Sequence, residues 1–362
     1  MAIPLFDIAT PLAPLRDAMH LKLTETFDAG AFILGPEVAA FERELAAYLG
    51  ARHVIGVANG TDALVLALRA LGIGPGDDVV VPSFTFYASA EAVPLTGARP
   101  VFCDVDPATF CVTADTVRAA LTPATKAVIA VHLFGNVAPV ADIEALGVPV
   151  VEDAAQAVGS RGAGGPAGSL GTVACFSFFP SKNLGGFGDG GAVASTDDEI
   201  AERVRMLRFH GSRDKQRFEL VGHNSRLDEL QAALLRLELP HLDVWCEGRR
   251  AAGRHYEAAG LGELVSLPVP VDGADPAWNL YVVRHERADA LAGALKAAGI
   301  GHKAYYRVPA HRQPAMRPWA DGAVLPGTDE AARTHLAIPM SPVLTQAQAV
   351  EVVAVARDAN LD

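Results

Sequence analysis

Cysteine is scarce in this chain: four residues in 362, namely Cys103, Cys111, Cys175 and Cys246, with no C-x-x-C pair and no zinc-type spacing. That argues against a disulfide framework or a structural zinc site and makes a reduced, intracellular setting the expectation. Basic residues are also in short supply, with 30 Lys and Arg against 42 Asp and Glu and a formal net charge of -12. Nucleic acid and anionic membrane are therefore not expected as partners, since both are held by basic patches. Any phosphate recognition must be local. No apolar run reaches the length of a bilayer span, and the opening Met1 to Asp7 has no cationic stretch leading into an apolar one, so the chain reads as cytoplasmic. No internal repeat or low-complexity tract is evident.

What is present is half hydrophobic residues, enough to bury a sizeable core over a length that suggests one large domain and a smaller one. Gly35-Pro36-Glu37 opens a helix whose Val38, Phe41, Leu45 and Tyr48 share one face. A short strand ending at Val57, a turn at Asn59-Gly60-Thr61 and a helix over Ala63 to Leu71 then form a layout suited to anions. Continuous apolar strands follow at Asp78 to Val81, Pro100 to Cys103, Ala127 to Val131 and Val148 to Glu152, then Gly171 to Ser177 and Gly191 to Ser195. Helices at Ala114 to Ala120 and Val140 to Leu146 alternate with them, which indicates a mostly parallel sheet covered on both faces. Gly159 to Gly168 reads as a surface loop, Phe209 to Asn224 as a long charged one, and Ser225 to Leu239 as a helix up to Pro240. The domain boundary is placed near Pro240, giving a large unit over 1–240 and a small α+β unit over 241–362.

In such a sheet, ligands sit at the carboxyl ends of the strands. Lys182 follows one strand, among Phe178, Phe179 and a glycine run, where burial lowers an amine pKa toward the neutral nucleophile a Schiff base requires. Taken alone it also fits a surface-loop lysine. Asp153 ends another strand, where it is a desolvated carboxylate in need of a cationic partner, or a helix N-cap. The pyridinium nitrogen of pyridoxal phosphate is one such partner. Gly60 and Thr61 offer backbone N–H groups and a hydroxyl to a phosphate, Ser177 adds a hydroxyl at the same edge, and Phe86 follows a strand end where an aromatic stacks on a ring or simply fills core.

Taken together, Asn59 to Leu64, Glu152-Asp153-Ala154-Ala155-Gln156, Phe176 to Asn183 and Asn224 to Gln231 resemble the DegT/DnrJ/EryC1/StrS sugar aminotransferases, pyridoxal-phosphate enzymes of fold type I. The resemblance spans essentially the whole chain. It implies that Lys182 forms the Schiff base with pyridoxal 5'-phosphate, that Asp153 pairs with the pyridine nitrogen, and that Gln156 lies beside the ring and its 3-hydroxyl. It further implies that Phe86 stacks, that Gly60, Thr61 and Ser177 take the phosphate, and that Asn224 reaches the phosphate in a neighbouring subunit, which requires a homodimer. The implied reaction moves an amino group from glutamate to a nucleotide-diphosphate-linked keto sugar by a ping-pong route, with a 3-keto-6-deoxyhexose favoured over a 4-keto one. A keto-cyclitol substrate and a non-catalytic cofactor-binding regulator are the alternatives. Arg213, Lys215, Arg217 and Arg226 are candidates for the diphosphate or are solvated charges. His223 stands where relatives commonly carry an aromatic, usually tyrosine, and Asn136 where glutamine is frequent.

Overall fold

The computed structural model describes residues 3–320, 322–359 and 361; Met1 and Ala2 of the opening segment lie outside the described residues. Five strands, β1 (His53–Val57), β2 (Asp78–Pro82), β3 (Arg99–Cys103), β4 (Thr125–Val131) and β5 (Val150–Asp153), precede two short ones, β6 (Arg161–Gly162) and β7 (Gly165–Pro166). After these come β8 (Val173–Ser177) and β9 (Gly191–Ser195). The central sheet has seven strands in the order β1-β9-β8-β5-β4-β2-β3, parallel throughout except that β9 runs antiparallel to both its neighbours.

Both faces are covered, so every residue of β2, β5 and β9 is buried; β2 and β9 have apolar or small-residue centres, while β5 starts with Val150 and Val151 and ends on the buried carboxylates Glu152 and Asp153. The two-residue period of β8 sorts its side chains between two cores. Val173 and Cys175 join one with Leu64, Leu66 and Leu68 of the helix Gly60–Ala70, while Ala174 and Phe176 join the other with Phe41, Leu45 and Leu49 of the helix Pro36–Leu49. Each such Phe or Leu contributes about 1.5–3 kcal/mol relative to an exposed one. The helix Pro36–Leu49 is started by proline and by a distant carboxylate: Glu229 accepts the N–H groups of Gly35, Glu37 and Val38 at 2.8, 2.8 and 2.9 Å.

The smaller α+β unit pairs β10 (Tyr281–Arg284) with β11 (His335–Ile338), antiparallel, under the helices Ala288–Ala297 and Gln346–Arg357. Its core gathers Tyr256, Tyr281, Leu291, Leu336 and Val352, and Ile3 from the start of the chain joins it. No helix among the described residues is long and apolar enough to cross a membrane.

Two segments differ from expectation. Helix begins at Glu229, not Ser225, because the intervening backbone is engaged elsewhere: Ser225 N–H donates to Arg208 C=O, Asp228 bridges Ile33, and Glu229 N–H donates to Phe32 C=O. Gly159 to Gly168 is no simple surface loop. It carries the β6–β7 ladder, buries Ser160 and Ala167, and is tied down by Glu152, whose carboxylate accepts from the N–H groups of Gly168, Leu170 and Gly171. Glu152 is itself buried against His132, whose Nε2 lies 2.8 Å away, and that ring with the backbone donors holds its carboxyl below the usual range against the opposing effect of burial.

Candidate active site

Register brings the strand ends together. Asp153 lies level with Cys175 of β8 and Val131 of β4, while Ser177 and Val57 both lie level with Gly191, the first residue of β9. Thus the residues following β1, β2, β5 and β8 open onto one edge of the sheet, as the sequence led us to expect.

Asp153 is 6% exposed. Its Oδ2 accepts from Ser89 Oγ at 2.7 Å, its Oδ1 from Ala155 N–H at 3.2 Å, and Ser89 in turn accepts from Thr85 Oγ1 at 2.9 Å. Among the described residues Asp153 forms no ion pair, so its donors are all neutral. A buried carboxylate held this way suits a cationic group placed against it, which is a pyridinium's chemistry.

The turn carrying Lys182 is fixed mainly by backbone: Lys182 N–H donates to Phe179 C=O, Gly186 N–H to Phe178 C=O and Phe178 N–H to Gly190 C=O. Side chains brace it from outside, with Asn279 Nδ2 donating to Ser181 C=O at 3.0 Å and Gln231 Oε1 accepting from Phe187 N–H at 2.8 Å. Phe178 is fully buried edge-on to Phe41, whereas Phe179 is half exposed, so only the first of the two phenylalanines is wall. Burial pushes the Lys182 amine down to about 8, with the charge of Asp153 pulling the other way. Lys182 thereby has an appreciable neutral fraction near neutral pH, although the residue as a whole is only half-buried.

Helix begins at Gly60 rather than Ala63, which makes Gly60 and Thr61 its first two residues, with N–H groups that have no intrahelical acceptor. Asn59 caps the helix by accepting from Asp62 N–H at 2.8 Å. A Cβ on Gly60 would stand 2.8 Å from Ser177 Cβ, so glycine is what allows this turn to lie against β8. Ser177 is partly exposed, and its Oγ accepts from Phe179 N–H at 3.3 Å.

Gln156 is oriented at both ends, its Oε1 accepting from Phe134 N–H at 2.7 Å and its Nε2 donating to Tyr306 OH at 3.2 Å. Phe86 is 55% exposed and tilted against Tyr306, ring centroids 6.0 Å apart, so it is no core residue. Ser89 and Tyr306 were missed from sequence. Ser89 lies three residues past Phe86 on the helix Tyr87–Glu91, and Tyr306 is far along the chain with no motif around it. Asn136 is a clamp: its Nδ2 donates to Thr109 and Val269 C=O, and its Oδ1 accepts from Val137 and Val271 N–H.

The loop 209–224 is not brought to the strand ends by its charges. Arg213 is exposed and paired with Glu202 and Glu219, Lys215 sits 4.8 Å from the Phe209 ring centroid, and Arg217 is exposed. Arg226, past the loop, is half-buried. Asn224 is exposed at the base of the loop, and its neighbour Ser225 accepts from Ala58 N–H at 3.1 Å, beside the Gly60 turn.

A fold-type I sheet with a desolvated lysine, a buried aspartate outside any ion pair among the described residues and an open helix N-terminus fits a pyridoxal-phosphate-dependent aminotransferase. The profile of the DegT/DnrJ/EryC1/StrS aminotransferase family matches residues 15–357. This chain belongs to that family. It is 46% identical to the dTDP-3-amino-3,4,6-trideoxy-alpha-D-glucose transaminase of Streptomyces venezuelae, over 98% of this chain and 96% of the relative. It is 43% identical to a Geobacillus stearothermophilus protein named "Pleiotropic regulatory protein", over 96% of each. The crystal structure of S. venezuelae DesV superposes with a TM-score of 0.95 at 44% identity, covering 99% of both chains.

Proposed function

We propose that this enzyme moves an amino group from glutamate to the C3 keto group of a nucleotide-diphosphate-linked 6-deoxy sugar, in two half-reactions on one cofactor. The observation that carries the reading is the depressed amine of Lys182, within electrostatic reach of the buried carboxylate of Asp153, which is in no ion pair among the described residues, in a chain so similar to a relative whose name specifies a 3-amino sugar.

Pyridoxal phosphate, when bound, supplies an electron sink that lets a proton leave the carbon next to the transferred nitrogen. Asp153 would hold a proton on the pyridine nitrogen, and Gln156, fixed by Phe134 and Tyr306, would lie beside the ring and its 3-hydroxyl. Phe86 would cover one ring face. Gly60, Thr61 and Ser177 would take the phosphate through a helix N-terminus and two hydroxyls, which suits a chain with little positive charge to spare. Lys182 Nζ would be the proton carrier, taking the proton from the carbon on one side of the transferred nitrogen and delivering it to the carbon on the other, a 1,3-shift in which the amine is general base and then its ammonium general acid. Asn224 reaches the phosphate in a neighbouring subunit, so the working unit is a homodimer.

The regulatory name of the Geobacillus relative favours a second reading, a cofactor-binding regulator, whereas the lowered amine of Lys182 and the buried carboxylate of Asp153 support the catalytic one. The visible spectrum tests both. Purified protein is expected to carry a cofactor absorbance band that shifts on adding glutamate and is missing in Lys182→Ala; a colourless wild type indifferent to the cofactor overturns the proposal, and a band unmoved by glutamate points to the regulator. An amination assay across 3-keto and 4-keto nucleotide sugars and keto-cyclitols fixes the acceptor, and turnover of the cyclitol alone overturns the sugar assignment.

A further inference from the structure

The return of the loop 209–224 is pinned to the very helix whose N-terminus forms the Gly60 turn. His223 Nε2 lies 2.7 Å from Arg69 Nη1. A guanidinium only donates, so Nε2 is the acceptor and the ring is neutral with its proton on Nδ1. Asp62 and Arg69 stand seven residues apart on the helix Gly60–Ala70, two turns of one face, and both act electrostatically on the imidazole, Asp62 favouring its charge and Arg69 opposing it. The other contacts of His223 are backbone: its N–H donates to Leu207 C=O and its C=O accepts from His210 N–H. Arg69 makes no ion pair among the described residues. One residue on, Asn224 is exposed, and the next, Ser225, is buried and accepts from Ala58 N–H. Asn224 therefore projects from between two anchors, one on Arg69 and one on the end of β1.

We propose that Arg69 and His223 form a latch that positions Asn224 for the phosphate in the neighbouring subunit, and that the latch holds only while the imidazole is neutral. This rests on the reading of Asn224 given above. Protonation removes the acceptor and sets a second positive charge against Arg69. Burial and Arg69 both depress the imidazole's pKa below its ordinary 6.5, so the latch is intact at neutral pH and opens as pH falls through that lowered value.

Cofactor retention by the holoenzyme, measured by equilibrium dialysis across pH 5 to about 8, reads the latch out. His223→Phe keeps a flat ring without an acceptor and is expected to weaken retention about tenfold, the value of a hydrogen bond to a charged group. His223→Gln, which offers Oε1 to Arg69, is expected to stay within about threefold of wild type and to lose the acid limb of the pH profile. Arg69→Ala should match His223→Phe, and the double variant should add nothing further. Additive losses, or His223→Phe indistinguishable from wild type at every pH, overturn the latch. The imidazole's own titration, followed by NMR, separates the two layers of the argument. It should move up in Arg69→Ala, and a titration unmoved there overturns the latch itself, whereas Asn224→Ala without effect on retention overturns the role of Asn224 and with it the latch's purpose.

Discussion

The turn around Lys182 and the loop around Asn224 are both called functional by their sequence, yet they are built in opposite ways. The first is short and closed by its own backbone hydrogen bonds, over a fully buried Phe178. The second is long, and its outer residues are exposed and charged, with carboxylates taking up Arg213. What differs is where the free energy of ordering comes from. A reacting amine must be held within one chain, by packing that also strips it of water. Asn224, proposed to serve a neighbour, is anchored only at its base and exposed. On the proposed reading, half of the candidate site is finished by folding, and the other half is left for association to complete.

Lys182→Ala is expected to lower amino transfer by more than about 1000-fold without lowering thermal stability. In cofactor-free protein it should also abolish a pH effect. The folded pKa of this lysine, about 8, lies below its ordinary 10.5, so unfolded chain binds the extra proton between them and this lysine makes stability rise with pH across that window in wild type alone. A melting temperature that falls markedly in the variant would mean that the turn depends on its lysine. Phe178→Ala should cost about 3–5 kcal/mol in urea denaturation, and a loss below about 1 kcal/mol would show that the turn is not held by its core. Gly60→Val drives a side chain into Ser177, shifting the first turn of its helix; cofactor binding is expected to weaken about tenfold, the loss of one charge-assisted hydrogen bond, and titration at full affinity would remove Gly60 from the phosphate site. Smallest is Arg213→Ala in the exposed loop, expected to leave the denaturation midpoint where it was, since surface pairs contribute little.

Much of this was legible because burial on both faces leaves a plain mark. Strands such as β2 and β9 have no solvent side to alternate with, and the reactive groups sit at the ends of such strands, where Asp153 and Lys182 stand out. Illegible were the contacts that close over distance. Ser89 reaches Asp153 and Tyr306 reaches Gln156 by tertiary packing, and neither has a local pattern. Ser225 to Asp228 has a helical composition but spends its backbone on Arg208 and Ile33, and Gly159 to Gly168 has a loop's composition but is gathered in by the carboxylate of Glu152. In each case propensity yielded to a partner elsewhere in the chain.

The antiparallel strand has a consequence in time. In the sheet, β1 has one neighbour, β9, and β9 is made last. On a ribosome adding about 5–20 residues per second, the end of β1 waits on the order of 10 s for its partner, while the strands between are already being delivered in sequence. The turn at Gly60 emerges early, but it can be docked against Ser177 only after the Lys182 turn has also been synthesised. Growing chains that stop short of Gly191 thus cannot bring the Gly60 turn against Ser177, and the nascent protein acquires the proposed two ends of its cofactor site in a single late event.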